Sequence, residues 1–307
     1  MSRRILVTGG GGFIGSHLVD ELVAAGEEVV VLDDLSRGRR EWIHPEATLH
    51  ELDIRDAESL RRMLPRIRPE VVVHLAAMHF IPAVDDAPRL ATTINELGTR
   101  NVVKALAATP PELILFTSTA AVYPDRPGPI DESCRPAPID LYGRTKLQGE
   151  RLIYAFAKGA SVRVVIARLF NVIGKRETNP HVVPAIVEQL ANGSDVVRVG
   201  NTKPRRDYTD VRDVADALRR LLHPQRDGHV VFNVGSGRPA SVIDVVRVCE
   251  QVLGRPIAVQ VDQERVRARD RAELLADGRL LRETTGWKPS RTLHETLAEL
   301  LTGNATG

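Results

Sequence analysis

At 307 residues, 43% hydrophobic and 27% charged, the chain can bury a full core without disulfide or metal staples and is too apolar to be disordered throughout. The 42 Lys and Arg against 40 Asp and Glu leave a formal charge of +2, which removes the electrostatic case for nucleic acid as the main partner. Cys134 and Cys249 have no CxxC partner and no histidine at ligand spacing, so neither a zinc or other metal site nor a disulfide framework is expected.

The first half alternates two patterns. Residues 5–8, 28–33, 71–75, 113–118 and 162–168 are short runs dense in Val, Ile and Leu, as strands buried on both faces are, with 48–52 a weaker sixth. Between them lie amphipathic stretches at 13–25, 57–64, 89–108 and 141–158. Such alternation predicts an α/β protein with a doubly wound parallel sheet and helices on both faces. The second half is less regular. Helices are expected at 180–192 and 211–222, a buried strand at 230–234, and a helix at 241–253 capped by Ser241. Segments 257–261, 277–284 and 293–301 complete it, with loops at Gly174-Lys175 and Pro204-Arg205-Arg206. This divides the chain into a first domain of residues 1–172 plus roughly 208–237, and a second of 173–207 plus 238–307. No apolar signal core follows Met1 and no 18-residue apolar run occurs, so the expectation is a cytoplasmic protein without a membrane partner.

The strongest local signal lies at the start. A strand leads into Gly9, Gly12 and Gly15, and an amphipathic helix follows. The first glycine permits a tight turn, the second lets a pyrophosphate approach the backbone, and the third lets helix pack on strand. The helix N-terminus then presents free N–H groups to the anion. The next strand ends in Asp33-Asp34 about 20 residues on, where a carboxylate accepts from both ribose hydroxyls and repels a 2′-phosphate, favouring NAD over NADP. Asp53-Ile54, after the third strand, is placed to flank the adenine.

Tyr142 and Lys146 stand four apart on an amphipathic stretch and share a helix face. An ammonium beside a phenol favours phenolate, which supplies a base near neutral pH. Thr119 follows the strand at 113–118, where a hydroxyl faces the ligand crevice of a parallel sheet.

Taken together, these motifs resemble the extended short-chain dehydrogenase/reductase family, in its NAD-dependent nucleotide-sugar epimerase/dehydratase branch. The resemblance runs from Arg4 to about Leu301 and includes His74-Leu-Ala-Ala77, Arg168-Leu-Phe-Asn171, Arg206-Asp-Tyr-Thr, Phe232-Asn-Val-Gly and Gly286-Trp-Lys-Pro289. It implies a Rossmann-type sheet with a smaller C-terminal α/β substrate domain. It implies NAD retained at Gly9, Gly12, Phe13, Ile14, Gly15, Asp33, Asp34, Asp53, Ile54, Leu75, Ala76, Ala77, Asn95, Ser118, Tyr142 and Lys146. Tyr142 would take the proton of a sugar hydroxyl, Lys146 would hold the nicotinamide ribose, and Thr119 would bridge the reacting oxygen. The substrate would meet His79, Thr119, Asn171, Arg206, Arg267 and Asp270. Family members often pair as homodimers through the two long helices at 89–108 and 141–158.

The departures narrow the reaction. The dehydratases of this family carry Asp-Glu after the strand-end Thr, and the decarboxylases usually a Glu; here stand Ala120 and Ala121, which cannot move a proton. What remains is the minimal oxidation–reduction set, so the resemblance implies inversion at sugar carbon 4, of a UDP-sugar by family default. A related dehydratase, decarboxylase or reductase is the alternative, and a non-catalytic NAD-binding regulatory or scaffold protein is the alternative of another class. Pro124 where relatives have Gly, Leu141 where many have Pro, and Arg269 where Gly is common set this chain apart.

Overall fold

The computed structural model describes residues 2–223, 229–266 and 270–303. In chain order its elements are β1 (Arg4–Thr8), α1 (Phe13–Ala24), β2 (Glu28–Asp33), β3 (Thr48–Glu51), α2 (Ala57–Ile67), β4 (Val71–His74), α3 (Ile81–Asp86) and α4 (Pro88–Thr92). Next come α5 (Thr99–Leu106), β5 (Leu113–Thr119), β6 (Pro129–Ile130), α6 (Leu141–Ala160), β7 (Arg163–Leu169), β8 (Asn171–Ile173), α7 (Val182–Ala191), β9 (Val196–Val199) and β10 (Arg205–Asp210). The remainder is α8 (Val211–Leu221), β11 (His229–Val234), β12 (Pro239–Ser241), α9 (Val242–Leu253), β13 (Ala258–Val261), β14 (Glu273–Ala276), α10 (Arg279–Thr285) and α11 (Leu293–Gly303).

Seven strands pair in parallel in the order β11-β7-β5-β4-β1-β2-β3. Side chains alternate across a strand, so an apolar run feeds both faces. Ile5, Val7, Val29, Val31, Val71 and Val73 meet Leu18, Leu22, Leu218 and Leu221 of α1 and α8 on one side. Their neighbours Leu6, Val30, Leu32 and Val72 meet Leu60, Leu64, Leu106 and Ile153 of α2, α5 and α6 on the other. Both layers of the expected doubly wound sheet are present. The chain winds outward in both directions from β1, so a crevice opens where β1 and β4 part at their carboxyl ends.

A second assembly joins β12, β10, β14 and β6, with β8 on β10, and β9 pairs with β13. Its core lies between α7, α9 and α11, around Ile186, Val245, Cys249 and Leu297.

Three expectations need correction. Arg205 and Arg206 are not in a loop: they open β10, paired to Ser241 and Ala240 on one side and to Glu273 and Leu274 on the other. Their charged side chains hid a strand whose backbone is satisfied on both edges. The stretch 89–108 is not one α-helix. It runs through α4, a π-helical turn at Thr93–Gly98 and α5. The hydroxyls of Thr92 and Thr93 bond back to carbonyls of Pro88 and Leu90 there, which loosens a helix. Helix α2 carries on through Pro65 to Ile67, beyond the predicted stop at residue 64.

Candidate active site

The turn after β1 is built for close approach. Gly9 has φ +73°, and a Cβ on Gly15 would lie 2.0 Å from the Gly9 carbonyl oxygen. Gly12 caps α1, with Phe13 and Ile14 in its first turn. A Cβ on Gly9 would lie 2.8 Å from the Ala76 backbone nitrogen, so glycine at 9 and 15 lets the turn close tightly on the end of β4 and the start of α1, a build that fits a dinucleotide. Asp33 stands at the end of β2, buried, and its two carboxylate oxygens accept from the backbone N–H groups of Gly11 at 2.9 Å and Leu35 at 2.8 Å. Burial pushes this carboxyl above its usual range, while the two N–H groups pull it back. Asp34, by contrast, is exposed and caps its own turn through Ser36. Asp53 is tied to Arg55, two residues on, and Ile54 packs where a Cβ on Gly98 would collide with it.

The end of β4 supplies the other wall. The Ala76 N–H donates to the Thr8 carbonyl, and Leu75 and Ala77 are half-buried beside it. His74 is buried between Thr8 and Thr99 at 2.6 and 2.9 Å. The Thr99 hydroxyl gives its proton to the Asn95 carbonyl, so it accepts from His74 Nε2–H, and His74 Nδ1 accepts from Thr8. Burial drives the His74 pKa down to about 3, so this ring is a neutral strut. Asn95, in the π-helical turn, brackets the Met78 backbone and reaches Thr145 at 2.9 Å. It fastens the loop after β4 to α6 one residue before Lys146.

The structure brings Thr119, Tyr142 and Lys146 together. Thr119 ends β5, and its Oγ1 accepts from the Ala121 N–H at 3.1 Å. Its side chain lies near enough to the Tyr142 phenol to favour the ionised form. Tyr142 lies in the first turn of α6, which Asp140 caps by accepting from the Gly143 N–H at 2.6 Å. Lys146 is one turn further, buried, with Nζ 4.3 Å from the centroid of the Phe116 ring. Burial pushes the Tyr142 phenol well up and pulls the Lys146 ammonium down to about 7. The Glu150 carboxylate opposes the second shift.

Two glycines make this approach possible. A Cβ on Gly143 would lie 2.4 Å from the Ala121 oxygen, and one on Gly149 would lie 2.5 Å from the Phe116 ring. Beneath Lys146, Glu150 accepts from Ser118 at 2.5 Å and from Arg168 at 2.9 and 2.8 Å, a buried two-pronged pair. The Ser118 hydroxyl is thus turned to Glu150, on the strand face opposite Thr119. The guanidinium of Arg168 also stacks on Tyr123, whose hydroxyl donates to Asn233.

The substrate-side residues are placed less uniformly. His79 follows β4 and meets Asn179 of the β8–α7 loop at 3.1 Å. Asn171 opens β8 opposite Tyr208 and is half-buried. Arg206 and Asp270 bond to each other, Arg206 also donates to the Arg271 carbonyl at 2.9 Å, and Asn201 donates to Asp270 at 3.1 Å. Arg267 and Arg269 lie outside the described residues. Arg271, unremarked in the sequence, is buried and donates to the Ala121 carbonyl at 3.0 Å.

The model of the NAD dependent epimerase/dehydratase family matches residues 5–235. The chain belongs to that family. Among its relatives, the UDP-glucose 4-epimerase of Lacticaseibacillus casei is 32% identical, over 93% of this chain and 92% of the relative. The UDP-glucose 4-epimerase of Thermotoga maritima, solved with UDP-glucose, superposes with a TM-score of 0.91 at 30% identity, covering 97% of both chains. That of Thermus thermophilus, solved with NAD, gives 0.90 at 29% identity and 99% of both. The Rossmann-type fold expected from the family resemblance is the fold of these neighbours.

Proposed function

We propose that the protein is an NAD-dependent nucleotide-sugar 4-epimerase acting on a UDP-sugar. The observation that carries the reading is the trio Thr119, Tyr142 and Lys146 at the sheet's carboxyl end, followed by Ala120 and Ala121. No side chain directly after Thr119 can carry a proton for elimination, so oxidation and re-reduction at one carbon is the chemistry this turn supports.

NAD would be held by the glycine turn of residues 9–15, by Asp33 at the adenosine ribose and by Lys146 at the nicotinamide ribose. When bound, it would supply the hydride acceptor and donor for oxidation and re-reduction at sugar carbon 4. Tyr142 removes the proton of the 4-hydroxyl and later gives it back. Its phenol, shielded from solvent, resists ionisation, and the Lys146 ammonium one turn along α6 would act against that. In the same poorly solvated place an unscreened positive charge acts strongly. Thr119 is fixed by the Ala121 N–H, which leaves its own proton for the phenol or the substrate oxygen. Arg206 and Asp270 are the described candidates for the nucleotide side, opening their mutual pair to phosphate and ribose.

The same reading divides the chain into residues 1–172 with 208–237, and 173–207 with 238–307. The seven-stranded sheet and the assembly around β10 support it in outline. A homodimer through the faces bearing Leu90, Leu97 and Ile139, each more than 40% exposed, accompanies the reading and is tested by light scattering. Among the described residues no helix is long and apolar enough to cross a membrane, and cytoplasmic location is retained as part of the proposal.

The direct test is cofactor retention. Purified protein, denatured after extensive dialysis, should release close to one NAD per chain. A protein that turns over only with added NAD(P)H would instead be a reductase.

A further inference from the structure

Two loops meet near Lys146, and apart from His79, expected to meet the substrate, their side chains have no part in the proposed reaction. His79 comes from the loop after β4. Glu177, Asn179 and His181 come from the loop between β8 and α7. The Asn179 amide nitrogen lies 3.1 Å from His79 Nε2 and 3.1 Å from Glu177 Oε1, and the Asn179 backbone N–H reaches the same oxygen at 2.8 Å. The rings of His79 and His181 stack with centroids 5.9 Å apart, and Phe80 abuts His181 edge-on at 5.0 Å. One ligand-capable atom from each of His79, Glu177 and His181 falls within 4.8 Å of the other two.

The tautomer of His79 follows from its partners. An amide nitrogen only donates, so His79 Nε2 is the acceptor and carries no proton. The ring proton is therefore on Nδ1, a form that the nearby Ala77 backbone favours. This is how a ligating histidine is ordinarily held, with one nitrogen tied to a carbonyl and the other lone pair presented to the metal. Glu177 and His181 are half-buried and reachable by an ion. Two imidazoles and one carboxylate make the donor set of a zinc-class centre with an open position.

We propose that His79, Glu177 and His181 form a binding site for a divalent transition metal of the zinc class at the mouth of the cleft. In the metal-free arrangement the Asn179 amide stands where the acceptor atoms of His79 and Glu177 converge. A cation takes over that contact and displaces the amide. Because its ligands come from both sides of the cleft, a bound metal ties the β4 loop to the β8–α7 loop and slows exchange of nucleotide sugar. The sequence carries no metal motif because the donors come from two distant segments.

The site is tested on tag-free protein with its nucleotide retained. Cobalt(II) titration should give visible d–d bands saturating at one metal per chain, displaced by zinc. Glu177→Gln and His181→Ala should each weaken binding at least about tenfold, with melting temperature and NAD content recorded as controls for folding. X-ray absorption at the zinc edge of the unmutated protein should show two imidazoles, which does not depend on either variant folding. Absence of stoichiometric binding, a spectrum with fewer than two imidazoles, or binding that survives both substitutions would overturn the proposal. Unaltered epimerase turnover on saturation with zinc would remove the link to exchange. These readouts do not require the epimerase reading, so its failure would leave the metal result standing.

Discussion

Substituting Gly143 with Ala should disable the protein with little loss of fold. The added Cβ would sit 2.4 Å from the Ala121 oxygen, where a real Cβ stays beyond 3.0 Å. Helix α6 or the Ala120–Val122 turn must therefore retreat by at least about 0.6 Å. The two bodies carry Tyr142 and Thr119 respectively, so retreat of either one moves the phenol away from the hydroxyl. Misplacement by about 1 Å costs on the order of 10²-fold in rate, so a loss of 10- to 100-fold in kcat is expected, with KM less affected. The same helix contains a control. Gly159 has nothing within 4 Å of its would-be Cβ, so Gly159→Ala should leave kcat unchanged and raise stability by up to about 1 kcal/mol through helix propensity. Steady-state epimerisation and urea denaturation of both variants form the assay. A Gly143→Ala variant within threefold of the parent kcat would refute the claim that this close approach aligns the catalytic groups.

Other perturbations probe the remaining parts. Tyr142→Phe should lower kcat by about 10²-fold or more while NAD stays bound, and a near-normal rate would exclude Tyr142 as the base. Glu150→Gln leaves the buried Arg168 charge unmatched and should cost about 3–5 kcal/mol in urea denaturation. It also removes the carboxylate that holds the Lys146 ammonium up. The Lys146 pKa then falls below about 7, and the alkaline limb of the kcat profile should move to lower pH; an unmoved limb contradicts this. Asp33→Asn takes away a charged acceptor, worth about 1.5–3 kcal/mol, and should lower retained NAD and weaken its preference over NADP by tenfold or more.

The sequence was most legible where chemistry is local. The Val-rich runs declare their burial because both faces of a parallel strand are covered, and Ile5, Leu6 and Val7 alternate between the two cores as that requires. Ser241 declares a helix start and makes a reciprocal capping box with Asp244. The trio at Thr119, Tyr142 and Lys146 was readable because spacing four on one helix, and the end of a neighbouring strand, are rules of backbone geometry. Pairings across the chain were not. Glu150 with Arg168, Arg271 with Ala121 and His79 with Asn179 leave no trace in a single sequence. Gly143, Gly149 and Gly159 in one 20-residue helix are a local penalty that tight packing explains at the first two. At Asp34 and Asp53 the structure adds a local partner that the sequence does not announce, since a carboxylate after a strand can satisfy its own turn.

The central claim is tested most directly by proton NMR of the purified protein with UDP-glucose, UDP-N-acetylglucosamine or UDP-glucuronate, and no added cofactor. The account predicts growth of the carbon-4 epimer from at least one of them to an equilibrium mixture, with loss of that conversion in Tyr142→Phe. Release of water or carbon dioxide from any of the three, or no epimer from NAD-loaded protein with any UDP-sugar, would contradict it.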